Sequence, residues 1–181
     1  LQNEVAIQFA EMGYVYFVNL TGMVGQETIS THTKTYSLTF EATTPYKYGP
    51  ISNEQLEFGQ GFSFGMGLQF MTPTIDYVIT GNTTIQVENF GNQPAFPIIT
   101  IIGTCDNVKI DEMIYNNTIT DNLTIDVKKE ICYRDNAGTL ENKLPYLSGN
   151  FLEIIPGTNN IEITGNNLDL TLSLNYRHCY K

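Results

Sequence analysis

The residues from Leu168 to Tyr176 alternate without a break. Leu168, Leu170, Leu172, Leu174 and Tyr176 stand between Asp169, Thr171, Ser173 and Asn175. A period of two places successive side chains on opposite faces of a strand. A helix of the same residues would scatter its apolar groups around the axis, so the segment must be a strand with one face in a core. Each fully buried Leu contributes about 1.5–3 kcal/mol, enough for this strand to organise a sheet around itself.

The rest of the chain supports the same class. Thr, Ile and Asn number 22, 19 and 18, against 5 Ala in 181 residues. Thr and Ile are stiff at Cβ and fit pleated strands, whereas Ala is the best helix former. The Asn, with 15 Gly, tolerate the backbone of tight turns. Apolar residues make up 41% and charged residues 15%, too apolar and too weakly charged for a disordered chain. The net charge of −10 is shared evenly between the halves and argues against a nucleic-acid binder held by phosphate contacts. No run of about 18–20 apolar residues is present to span a membrane as a helix. The chain opens on Leu1 rather than Met and carries no basic-then-apolar leader, as a processed chain or a fragment would.

Three regions emerge. In residues 1–48, Val5, Ile7 and Phe9 alternate, Tyr14–Val18 is a short apolar run, and Tyr36, Leu38 and Phe40 alternate before Thr44-Pro45 closes the strand. Three strands make a thin core, more plausible inside a larger sheet or an assembly than alone. Residues 49–84 form a Gly-rich connector in which Ile75–Thr80 could form one short strand. From residue 85 to 181 the strands come at roughly 8–12-residue spacing, the signature of an antiparallel β-sandwich. They are Ile85–Val87, Ile98–Ile102, Leu123–Val127, Glu130–Arg134, Phe151–Ile155, Asn160–Thr164 and the closing Leu stripe. Turns are expected at Gly103–Asn107, at Asp135–Gly138 and at Gly165–Asn167.

Candidate chemistry is sparse. Cys105, Cys132 and Cys179 are odd in number and spaced by 27 and 47, neither a disulfide framework nor a zinc site, and read as free apolar fillers. A Cys132–Cys179 bridge stays open if their strands are neighbours. His178 adjoins Cys179, but adjacent strand residues point apart, and His32 is distant in sequence, so no Cys–His nucleophile is expected. Gly59, Gly61, Gly65 and Gly67 lack dinucleotide-binding spacing. They read as a connector whose Phe58, Phe62, Phe64 and Phe70 can pack on a neighbouring surface. Asp106, Asp111 and Glu112 miss the calcium-loop spacing and read as a solvated turn. The sequons at Asn19, Asn82, Asn116 and Asn122 are what so much Asn and Thr produces by chance. Asp126 and Glu130 are the carboxylates a β-sandwich glycosidase would need, but nothing pairs them across a cleft. Without Trp, a sugar platform would fall to Tyr115, Tyr133 or Tyr146. No catalytic, metal or cofactor-binding residue is assigned.

Several stretches, in order, resemble the siphophage distal tail protein family. Val87-Glu-Asn-Phe-Gly-Asn-Gln-Pro-Ala-Phe-Pro-Ile-Ile-Thr-Ile-Ile-Gly103 is similar to the opening of that family's C-terminal domain. Leu123-Thr-Ile-Asp126, Phe151-Leu-Glu-Ile-Ile-Pro-Gly-Thr-Asn-Asn160 and Leu172-Ser-Leu-Asn-Tyr-Arg177 resemble its later strands. Tyr36-Ser-Leu-Thr-Phe-Glu-Ala-Thr-Thr-Pro-Tyr46 resembles the end of its N-terminal belt domain. The usual start of the belt is missing, and the loop at Asn136–Gly138 reads as longer than a two-residue hairpin turn. The resemblance implies an all-β chain with an incomplete belt domain followed by a galectin-like sandwich. It implies a non-enzymatic hub of a phage tail tip or baseplate, located in the virion and assembled in the bacterial cytoplasm. Its partners would be copies of itself in a ring of the full-length protein, commonly a hexamer, the tail tube and tail-tip proteins, and a receptor-binding protein. No nucleic acid, membrane insertion or cofactor is implied. The alternative is a carbohydrate-binding sandwich that contributes to host-surface adhesion.

Overall fold

The structure, a computed structural model, describes residues 5–8, 14–28, 34–49 and 76–181. His32, the glycines and phenylalanines of 58–70 and most of the expected connector lie outside the described residues. The chain divides into two units, Leu1–Pro50 with Cys179–Lys181, and Ile51–His178. Regular structure in the described residues is β-strand apart from one 3-10 turn at Leu144–Tyr146.

The first unit is an antiparallel sheet. Strand β1 (Val5–Gln8) pairs with β2 (Val15–Thr28), which pairs in turn with β3 (Lys34–Ala42). Short β4 (Lys47–Tyr48) pairs with Val15 of β2 and, on its other side, with the chain's last strand, β15 (Cys179–Tyr180). The chain's C-terminus thus closes the N-terminal sheet, although composition alone groups it with the sandwich. Phe17 meets Tyr48 edge-on at 5.1 Å, and Tyr14 meets Tyr180 at 5.3 Å.

The second unit is built on two long strands, β7 (Ile98–Ile110) and β14 (Gly157–Asn175), with β7 paired from end to end against Ile163–Asn175 of β14. Outside them lie β5 (Tyr77–Ile79) and β6 (Thr83–Asn89), both on the far edge of β14. On the far edge of β7 lie β8 (Met113–Tyr115), β9 (Thr118–Ile119) and β10 (Asn122–Asp126). Strands β11 (Ile131–Asn136) and β12 (Thr139–Asn142) extend the sheet from β10, and β13 (Leu147–Ser148) extends it from β8. Phe151–Ile155 contributes only a single bridge, Ala95 to Ile154.

Neither Gly103–Asn107 nor Gly165–Asn167 is a turn: each lies inside one of the long strands, where the strand bends. Thr164 pairs with Lys109, Asn166 with Asp106 and Asp169 with Thr104, so β7 and then β14 each carry one extra residue. Asn107 (φ 50°) and Asn167 (φ 52°) adopt the left-handed conformation that Asn tolerates. Each bulge flips the side-chain alternation. The inward set changes from Ile99, Ile101 and Cys105 to Val108 and Ile110 on β7, and from Ile161 and Ile163 to Leu168, Leu170, Leu172 and Leu174 on β14. Strands that bend at bulges pass from one layer of a sandwich to the other. Inward residues of both halves form one hydrophobic cluster, as expected of a β-sandwich-type domain. At Gly103 (φ 129°) a Cβ would lie 2.8 Å from the Leu170 Cα, so only glycine fits this corner.

The Leu stripe is buried as its period requires, from Leu168 through Tyr176. The loop after β11 proves to be a two-residue hairpin turn. Asn136 pairs with Thr139, and Ala137 (φ 52°) and Gly138 (φ 89°) occupy the two positions where a twisted hairpin requires positive φ.

Candidate functional site

The sandwich corner is held by one carboxylate. Asp106 Oδ1 accepts from the Thr118 hydroxyl at 2.5 Å, and Oδ2 accepts from Asn167 Nδ2 at 2.7 Å. These bonds join β7, β9 and β14 and lower the Asp106 pKa, because they favour the charged form. The residue expected in a solvated turn is therefore a structural pin.

Asp111 and Glu112 form the tight turn between β7 and β8 and line an open cleft of about 540 Å³. Glu130, Gly149, Asn150, Phe151 and Glu153 complete its lining, and Asn150 Nδ2 donates to Glu112 Oε2 at 2.5 Å. The four carboxylates come from segments far apart in sequence, which is why no local motif announces them. Among the described residues, no group of three or more His, Cys, Asp or Glu is placed to hold a metal ion. Asp126 does not line this cleft: it is buried at the end of β10, where Oδ1 accepts the Lys129 N–H at 3.1 Å and Oδ2 binds Lys129 Nζ at 2.8 Å. The two carboxylates a glycosidase would need thus serve different places, one the β10–β11 turn and the other the cleft rim.

Cys105, Cys132 and Cys179 are buried, and none is in a disulfide, so the Cys132–Cys179 bridge left open by the sequence is not formed. Burial pushes the Cys105 and Cys132 thiols up to about 11, so both stay protonated near neutral pH and are poor nucleophiles. Tyr115 is in the core, its hydroxyl pushed up to about 12 by burial, and it meets the exposed Tyr146 edge-on at 6.2 Å. Tyr115 therefore offers no open ring face to a sugar. Tyr133 is half-buried on β11, opposite Thr124 and Asn142.

The first unit carries the feature that sequence periodicity only hinted at. Leu20 faces Phe40, and Val18 faces both Val5 and Ala42. Residues directly opposite in antiparallel strands share a face. With Leu38, two residues before Phe40, they form an apolar stripe across β1, β2 and β3. Val18 is buried, but Leu20 is 53% and Phe40 42% exposed, and Val5 and Leu38 are about half exposed. Contiguous exposed apolar surface of this kind marks interaction surfaces. The outer face of the second unit is also partly apolar, with Val78, Ile102 and Leu140 exposed among Thr and Asn.

No protein-family model and no curated protein matches the chain. Among solved structures, it is similar to a chain of the phage p2 baseplate in its activated conformation, both in a structure with strontium and in one with calcium. In each case the identity is 14% and the TM-score 0.50, and the match covers 94% of this chain and 66% of the other. At that identity the likeness is one of fold. The chain spans 66% of the length of the chains it matches.

Proposed function

We propose that the chain is a structural, non-catalytic hub of a bacteriophage tail tip or baseplate. In this reading it acts in the virion tail, as part of a ring that joins the tail tube to the host-adsorption apparatus. The first unit is the ring-forming belt, and the second is a galectin-like sandwich. Its partners are copies of itself, in a hexamer, together with the tail tube, tail-tip proteins and a receptor-binding protein.

The observation that carries this reading is the fold shared with a phage p2 baseplate chain across 94% of the sequence, which takes in both units rather than one common domain. The half-exposed stripe on β1–β3 adds a physical reason: a thin sheet gains stability when a neighbour covers it. A head-to-tail contact closes into a ring when its rotation fits a point group. Negative-stain imaging of the protein tests the proposal. Closed rings of uniform diameter are expected, and isolated single copies at every concentration would refute it.

A further inference from the structure

One imidazole fastens the end of the second unit. His178 is 8% exposed, and its ring meets Phe90 edge-on at 5.2 Å and Tyr176 at 5.6 Å. Its Nδ1 accepts the Phe90 backbone N–H at 3.2 Å. That bond needs a lone pair on Nδ1, so the neutral ring carries its proton on Nε2. The neighbouring Asn89 side chain uses both its donors and one lone pair of its oxygen. Its Nδ2 donates to the carbonyls of Gln93 at 2.9 Å and Ile154 at 2.8 Å, and its Oδ1 accepts the Gly91 N–H at 2.9 Å. The same Oδ1 lies 3.3 Å from His178 Nδ1. Two residues earlier, the Tyr176 hydroxyl donates to the Glu88 carbonyl at 2.7 Å. The segment 176–178 is thus tied to the end of β6 through Tyr176 and to the 89–93 turn through His178. The next residue, Cys179, pairs with Tyr48 in the other sheet, so the peptide leaving this attachment leads straight into β15.

We propose that His178 is a proton-operated latch: neutral, it accepts the Phe90 N–H and holds the 89–93 turn, and protonated on Nδ1 it releases that amide. A proton on Nδ1 would face the Phe90 N–H, placing two donors against each other and removing the bond. The new proton would point instead at Asn89 Oδ1, 3.3 Å away, whose second lone pair can accept it beside the Gly91 N–H, so protonation exchanges the Phe90 backbone bond for one to the Asn89 side chain. The partner hydroxyl cannot substitute as a switch, because burial moves Tyr176 ionisation far above neutral pH. The titratable groups on the surrounding elements are Glu88 on β6, Tyr77 on β5, Glu153 beside the Ile154 bridge, and Tyr176 and Arg177 on the segment itself. None of them drives the His178 shift: burial is its cause, and it lowers the pKa below the ordinary histidine range. The folded state therefore binds fewer protons than the unfolded state in and below the ordinary histidine range, and the Phe90 bond weakens as the pH falls through it.

The test uses the whole chain labelled with 15N. Long-range imidazole spectra should show the Nε2–H tautomer at neutral pH and a His178 midpoint below 6.5. Hydrogen exchange at the Phe90 amide, corrected for the intrinsic effect of pH, should speed up by on the order of tenfold as His178 titrates. The Leu172 amide, in the core, should not change. In a His178→Gln variant, whose side-chain oxygen can accept but does not titrate, Phe90 protection should be flat with pH. The Nδ1–H tautomer, a midpoint at or above 6.5, or Phe90 protection unchanged through the wild-type titration would overturn the latch, and these wild-type readings decide even if the variant fails to fold.

Discussion

Replacing Leu172 by Ala tests the core of the second unit at its centre. Leu172 is 0% exposed and sits on β14 between Ile101 of β7 and Tyr77 of β5. Truncation removes about three carbon groups, a transfer loss of roughly 2.4 kcal/mol at ~0.8 kcal/mol each. A cavity adds to this, because paired strands on both sides prevent the gap from collapsing, and Leu→Ala at such sites costs about 2.7–5 kcal/mol. The upper half of that range, about 4 kcal/mol, is expected here. For a unit the size of Ile51–His178, each kcal/mol lowers Tm by roughly 4 °C, so a fall of about 15 °C is expected. Thermal unfolding followed by near-ultraviolet circular dichroism reads it directly, because the tyrosines report tertiary packing. Leu140→Ala on edge strand β12, where the side chain is 64% exposed, should stay within about 0.5 kcal/mol of the parent. A Leu172→Ala cost below about 1 kcal/mol, or equal costs for the two variants, would refute the assignment of β14 as the central strand.

Gly103→Ala should destabilise by about 2 kcal/mol or more, through positive φ and the approach to the Leu170 backbone; urea unfolding with an unchanged midpoint would contradict the corner. Asp106 has a lowered folded pKa, so its stabilisation is present above the ordinary carboxylate range and is lost as the pH falls through the lowered value. Asp106→Asn should therefore be less stable than the parent at pH 7, with the gap narrowing on acidification, as urea midpoints measured across the pH range will show.

Much of the second unit was legible because its strands alternate and nothing competes with that pattern. The Leu168–Tyr176 stripe needed only the period of two, and the apolar run Ile98–Ile102 marked a buried strand, of which Ile99 and Ile101 are in the core while Ile98 and Ile102 are exposed. The continuity of β7 and β14 was not legible. Gly and Asn mark turns in sequence, yet the same residues supply the left-handed bulges at Asn107 and Asn167 that let a strand bend and continue. Nor did Cys179-Tyr180 announce a strand, since two residues carry no periodicity and its pairing with β4 is made across most of the chain. Charge spacing placed Asp111 and Glu112 in a turn but could not bring Glu130 and Glu153 to the same cleft, because that depends on how distant strands end together. The apolar stripe of the first unit was visible as alternation in β3, but its exposure depends on the sheet having no covering layer over Leu20 and Phe40 among the described residues.

The most direct test of the assembly claim is the solution mass of the protein by sedimentation across a wide concentration range, with and without Asp at Leu20 and Phe40. The account predicts a species of six copies that the paired substitutions convert to single copies while the β-sheet spectrum is retained. A single-copy mass for the parent throughout, or a ring indifferent to both substitutions, would contradict it.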